Sequence, residues 1–255
     1  MTFWEAVAVF AAGLGAGTIN TIVGSGTLIT FPVLLAFGVP PVTANVSNTL
    51  GLIPGSVSGA IGYRRELVGQ RGRILRFGGV CLLGGLAGAM LLLALPSQTF
   101  DMVVPVLIGL ALVLVIVQPT LAARLRARHE RNGTTAHPDG GPVLLLGLLL
   151  ASAYGGYFGA AQGVLYVSLM GLLLNETLQR INALKNVLAA LVNGVAAVFF
   201  LFVATFDWTA VLLIAVGSTL GGMLGARVGR RLPPTALRAV IVLVGVVAIV
   251  QLLLK

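Results

Sequence analysis

The sequence predicts an all-α fold, a polytopic transmembrane helical bundle of two inverted five-segment repeats with broken or re-entrant helices. Three observations carry that prediction. The chain is 58% hydrophobic and only 9% charged, with a mean hydropathy of +1.04, whereas soluble domains carry roughly 25% charged residues. Its apolar residues fall into ten segments, and its punctuating residues repeat at an offset of about 137 positions. Gly26 recurs as Gly163, Asn45 as Asn182, Gly84-Gly85-x-x-Gly88 as Gly221-Gly222-x-x-Gly225, and Leu95-Pro96 as Leu232-Pro233, the mark of an internal repeat.

The first repeat, residues 1–119, holds apolar segments near 4–22, 27–37, 42–62, 74–95 and 99–119. The second, 142–255, holds 142–159, 163–174, 178–205, 208–226 and 235–254. The opening segment of each repeat stops at a glycine-rich break, Gly24-Ser25-Gly26 in one and Gly159-Ala160-Ala161-Gln162-Gly163 in the other. The pieces that follow, 27–37 and 163–174, are too short to cross a bilayer comfortably, which takes roughly 20 helical residues. Pairs such as Gly13/Gly17, Gly55/Gly59, Gly84/Gly88, Gly155/Gly159 and Gly221/Gly225 have the small-xxx-small spacing of helix packing. Between the repeats, 120–141 carries Arg124, Arg126, Arg128, Arg131, Asn132, Gly133, Pro138, Gly140 and Gly141 and reads as a basic cytoplasmic linker. Its His129 and His137 lack the partners of a metal site. Cys81, the single cysteine, reads as a small packing residue, so neither a disulfide nor a metal or other cofactor is expected.

The formal charge of +9 matters through its placement. The basic residues cluster at Arg64 to Arg76, Arg124 to Arg131, Arg180 with Lys185, and Arg227 to Arg238, the pattern of cytoplasmic loops. No aromatic-interleaved basic stretch or zinc spacing points to nucleic acid. With Arg64 to Arg76 inside, segment parity puts Arg124 to Arg131, Arg180 and the Arg227, Arg230, Arg231 group inside as well, Asp207 outside, and both termini external; only Lys255 falls on the wrong side. A re-entrant hairpin and a pair of full spans both return the chain to its starting side, so the parity holds for either. Five segments per half set the copies antiparallel. Met1 to Glu5 lack a basic n-region, so the first segment is expected to be retained, and the expected location is the inner membrane of a bacterium-like cell.

Amides and charges within lipid are costly unless they meet a partner or a polar cavity, which makes them functional candidates. Four groups qualify: Asn20 and Thr21 with Gly24, Ser25, Gly26 and Thr27; Asn45, Ser47, Asn48 and Thr49; Gln162 with Gly163; and Asn182, Lys185, Asn186 and Asn193. Asn45, Asn48 or Thr49, and Ser56 share one helix face, and Asn182, Lys185 or Asn186, and Asn193 repeat the spacing. Helices restarting near Thr27 and Val164 would aim N–H groups and positive dipole ends at an anion, with Lys185 as its cationic complement. The structural counter-readings are interhelical hydrogen bonds for the asparagines and snorkelling for Lys185. Arg180 and Glu176 read as interfacial.

These residues resemble the TauE/SafE family of membrane transporters, sulfite exporters and sulfonate permeases. The first-repeat match runs through Gly24-Ser25-Gly26-Thr27-Leu28-Ile29, Phe31-Pro32, Gly38-Val39-Pro40, Ala44-Asn45-Val46-Ser47-Asn48-Thr49, Pro54-Gly55-Ser56-x-Ser58-Gly59 and Tyr63-Arg64-Arg65. The second runs through Tyr154-Gly155-Gly156-Tyr157-Phe158-Gly159-Ala160-x-Gln162-Gly163 and Gln179-Arg180-x-Asn182-Ala183-x-Lys185-Asn186. Gly-Ser-Gly stands where many members have consecutive glycines, and Ala-Asn-Val-Ser-Asn departs from a commoner Ala-Thr-Ser type.

The resemblance implies transport of sulfite, sulfonates or related organosulfur anions. The expectation is a secondary transporter working by alternating access, with a small anion and the lipid bilayer as partners; a monomer and a homodimer both fit. Gly24, Ser25, Gly26, Thr27, Asn45, Asn48, Thr49, Gln162, Gly163, Asn182, Lys185 and Asn186 are the expected substrate-binding residues. An inside-negative potential expels an anion with about 2.3 kcal/mol per charge per 100 mV, while uptake needs proton or sodium coupling. The alternatives are an intramembrane enzyme, which lacks a paired carboxylate, metal cluster or activated nucleophile, and a structural membrane protein, which leaves the doubled polar stripes without a purpose.

Overall fold

The computed structural model describes residues 1–132, 139–228 and 234–253. Of the sequence expectations, those on Gly133, His137, Pro138, Arg230, Arg231, Leu232-Pro233 and Lys255 lie outside them. The described chain forms helices α1 (Phe3–Ile22), α2 (Thr27–Ala36), α3 (Pro41–Gly62), α4 (Arg71–Ala94), α5 (Ser97–Asn132), α6 (Gly141–Tyr157), α7 (Gln162–Leu173), α8 (Leu178–Val203), α9 (Trp208–Val228) and α10 (Pro234–Leu253). Each apolar segment became one helix. Five of them, α1, α4, the Ser97–Val117 part of α5, α8 and α9, are long and apolar enough to cross a membrane. The fold is therefore an all-α, multi-pass membrane bundle.

The local chemistry sets the helix boundaries. Thr2 accepts the Glu5 amide and Glu5 answers on the Thr2 amide, a capping box that starts α1. Pro41 opens α3 and Thr177 caps α8. α5 runs past its apolar part through the stretch expected to be linker, because Leu121 to Arg128 are alanine, leucine and arginine, all strong helix formers.

The packing pairs fall into two matching sets. α1 lies on α9 and α9 on α3; α6 lies on α4 and α4 on α8. The sets meet where α3 packs on α8, and α5 packs on α10. Glycines make the close approaches: a Cβ on Gly221 would strike Leu14 and one on Gly225 the Thr18 carbonyl, while Gly84 and Gly88 press on Ser152 and Ala153. Small residues let helix backbones meet closely where lipid supplies no hydrophobic drive for association.

α3 and α8 run antiparallel. The Asp207 amide, just beyond α8, donates to Ser47 Oγ near the start of α3 at 3.0 Å, and Gln70 Nε2, beyond α3, donates to the Arg180 carbonyl near the start of α8 at 3.3 Å. One end of the bundle gathers Met1, Glu5, Phe37 to Pro40, Asp207 and Trp208 around a cavity of about 540 Å³. The other gathers Arg64, Arg65 and Arg227 around a cavity of about 590 Å³. On that arginine end Arg73 also joins Glu176 at 2.5 Å and Asp139 at 3.3 Å. Consequently α1 and α2 form a hairpin entering from the Trp208 end, while α6 and α7 form one entering from the arginine end.

The glycine breaks depart from the expected offset. α6 ends 135 positions after α1, and α7 starts 135 after α2, whereas α3 and α8 start 137 apart. Gly26 and Gly163 are thus two positions out of structural register; Gly24 and Gly159 are the corresponding residues. α7 takes up the difference by being two residues longer than α2.

Candidate functional site

Each hairpin turns where a helix ends on a left-handed glycine. Gly24 (φ +91°) and Gly159 (φ +75°) both donate to a carbonyl five residues back, Ile19 and Tyr154 respectively. Ala161, the one described non-glycine residue with positive φ (59°), lies in the second break, a strain of roughly 1–3 kcal/mol that the surrounding packing must hold. The breaks touch. The Gly163 amide donates to the Gly24 carbonyl at 3.0 Å, and a Cβ on either glycine would lie 2.5 Å from the other's Cα.

Most of the helix N-terminal amides are already bonded within the breaks. In α2, Leu28 and Ile29 donate to Ser25 and Gly26; in α7, Gln162 and Val164 donate to Gly159 and Ala161, and Gly163 is taken by Gly24. Tight first turns absorb these donors. α7 also begins at Gln162, before the expected Val164. Apart from the Thr27 amide, the polar groups left to meet a ligand here are side chains.

Those side chains divide into two clusters. Toward the Trp208 end, Asn45 Nδ2 donates to the Tyr157 carbonyl at 2.9 Å, and Thr49 Oγ1 donates to the Asn45 carbonyl at 2.8 Å. Asn48 Nδ2 donates to Thr27 Oγ1 at 3.1 Å, while Thr30 donates to Asn48 Oδ1. This cluster is almost fully bonded, with only Asn45 Oδ1 open. Phe31, Phe100 and Phe158 pack edge-to-face beside it, with Phe31 and Phe158 centroids 5.2 Å apart and Tyr157 against Phe100.

Toward the arginine end lies the second cluster. Lys185 is fully buried, and its Nζ donates to the carbonyls of Asn20 and Thr21 at 2.9 Å each. It caps the last turn of α1, whose carbonyls have no intrahelical donors. Asn20 Nδ2 donates to Ser56 Oγ at 3.2 Å, and Gly59 lies against both Thr21 and Asn186. Thr21 Oγ1, Asn182 Oδ1 and Asn186 Nδ2 are buried without a described hydrogen-bond partner, as is Ser25 Oγ at the break. Such groups are normally satisfied, so this cluster retains unused capacity to bind.

The expected convergence of Asn45 and Asn182 does not occur. Each stands four residues into its helix, and because α3 and α8 are antiparallel, equal depth from the two N-termini means opposite ends of their contact. Gln162 is placed apart from both clusters. It packs on Gly155 and donates to Tyr166 OH at 2.6 Å, which also bonds Ser152. Sequence reasoning missed this Ser152–Tyr166 pair and the aromatic group. Among the described residues no three metal-ligating side chains gather.

The family model described as Sulfite exporter TauE/SafE matches residues 9–252. The chain is 27% identical over 245 residues to the probable membrane transporter protein YfcA of Escherichia coli K12, covering 96% of this chain and 88% of that protein. It is 27% identical over 237 residues to a probable membrane transporter protein of Haemophilus influenzae, with coverage of 92% and 89%. A probable membrane transporter protein, ORF9, of a Sinorhizobium species is 25% identical over 246 residues, covering 96% and 90%. No solved structure matches the chain. With nearly every residue inside the family match and an all-α membrane bundle beneath it, the protein belongs to the TauE/SafE family of membrane transporters.

Proposed function

We propose that the protein is a secondary transporter of a small anion, namely sulfite, a sulfonate or a related organosulfur compound, and that it works by alternating access in the inner membrane. The observation that carries this reading is the Lys185 cluster. A buried ammonium bonded to carbonyls, with no described carboxylate beside it, retains an uncompensated charge in a low-dielectric layer. An anion accepting from Thr21 Oγ1 and Asn186 Nδ2 supplies the missing charge and fills those open donors, with Asn182 turned to meet it through its amide N–H2 rather than its oxygen.

The halves are read as inverted repeats, which explains why their broken-helix caps are exchanged. Lys185 of the second half holds α1, and Asn45 of the first holds the end of α6. Rocking one half against the other must loosen both caps, while the Gly24–Gly163 contact serves as the crossing point. The arginine end is assigned to the cytoplasm by the positive-inside rule, with Met1 and Asp207 outside.

Flux into proteoliposomes tests the reading. Uptake of sulfite or a sulfonate that responds to an imposed potential is expected; a purified, folded protein that moves none of these anions contradicts it.

A further inference from the structure

The cavity at the arginine end is separate from the Lys185 cluster and has a different lining. Arg64, Arg65 and Arg227 surround about 590 Å³ between the ends of α3 and α9, with Glu66 the one carboxylate there. That volume falls within the roughly 300–1,000 Å³ of small-molecule sites. The lining is also amphipathic: Ile61 and Met223 belong to it and are 56% and 44% exposed. On a membrane bundle an exposed apolar pair beside three guanidiniums at a span's end faces both acyl chain and headgroup.

We propose that this cavity binds the phosphate headgroup of an anionic phospholipid, with Arg64, Arg65 and Arg227 on the phosphate and Ile61 and Met223 against the upper acyl chain. Guanidinium forks match phosphate oxygens in bidentate geometry. Basic pockets between spans at the cytoplasmic side are suited to such headgroups, and the cytoplasmic leaflet is the anionic one. A soluble oxyanion needs only the arginines; the exposed apolar pair favours the lipid. The proposal holds whichever solute is transported.

Lipid binding to the purified full chain in neutral detergent, followed by native mass spectrometry and by thermal unfolding, tests it. Phosphatidylglycerol is expected to bind and raise the unfolding temperature, with phosphatidylcholine and glycerol phosphate doing neither. The triple variant Arg64→Gln/Arg65→Gln/Arg227→Gln is expected to weaken phosphatidylglycerol binding roughly 100-fold, about 5-fold per charge. Arg227→Gln alone, about 5-fold weaker, serves if the triple variant misfolds. Arg64→Gln/Arg65→Gln is compared with Arg71→Gln/Arg76→Gln, which removes equal charge outside the cavity. Equal losses in these two pairs, equal binding of phosphatidylcholine, or full protection by soluble phosphate or sulfite would each overturn the proposal.

Discussion

The Lys185 ammonium lies 2.9 Å from the Asn20 carbonyl, so the second half's polar helix holds the broken end of the first. Lys185→Met removes that donor from two buried carbonyls, at about 1–3 kcal/mol each. It also removes a buried cation whose desolvation costs several kcal/mol. Because the two effects oppose, we expect a folded variant whose stability changes by less than about 3 kcal/mol but whose anion-dependent stabilisation and flux are lost. Thermal unfolding with and without sulfite measures both.

Asn45 and Asn182 should separate structure from function. Asn45 Nδ2 bonds the Tyr157 carbonyl, whereas Asn182 Oδ1 has no described partner. Asn45→Ala is expected to destabilise by about 1–3 kcal/mol through the orphaned carbonyl. Asn182→Ala is expected to leave stability within about 0.5 kcal/mol, the range of changes that touch no structural feature, and to impair transport. Paired unfolding and flux assays distinguish them; equal destabilisation by both would place Asn182 in the packing instead.

Gly24→Ala or Gly163→Ala puts a methyl 2.5 Å from the facing Cα, where neither break can yield without separating the hairpins. Loss of folded yield is expected. Gly194→Ala, inside α8 with open space around it, should stabilise by roughly 0.5–1 kcal/mol through helix propensity. Size-exclusion yield and unfolding temperature report the contrast.

Glu176 lies outside the spans. Burial alone would raise its carboxyl, but Arg73 and Arg180 outweigh burial and hold it below its ordinary value of 4.5. A depressed carboxylate stabilises fully above the unfolded value and loses that contribution as pH falls through the folded one. Wild-type stability should therefore decline as pH drops below about 4.5, and Glu176→Gln should flatten that dependence while lowering stability at neutral pH. Unfolding temperature against pH checks the sign.

Much of the fold was legible because each helix leaves a local signature. Apolar runs marked the segments, the glycine-rich breaks marked where α1 and α6 stop without deciding between hairpin and full spans, and Gly84, Gly88, Gly221 and Gly225 marked close helix contacts. Clustering of Arg64, Arg65, Arg73, Arg180 and Arg227 followed from charge placement. The site was legible only as a set of residues. A helical face gives an angle around the axis but not depth against a partner, so Asn45 and Asn182 could be paired by spacing while lying at opposite ends. Lys185 was legible as an unusual cation, but its carbonyl partners on α1 are 165 and 164 residues away. The Phe31–Phe100–Phe158 group left no signal, because aromatic residues in an apolar run read simply as core.

The central claim is that Lys185 and the hydroxyl and amide donors beside it bind the transported anion. The most direct measurement is potential-driven sulfite flux in proteoliposomes for wild type and Asn182→Ala/Asn186→Ala, with unfolding temperatures taken in parallel. The account predicts flux in the wild type and its loss in the double variant at nearly unchanged stability; wild-type flux retained by the folded double variant would contradict it.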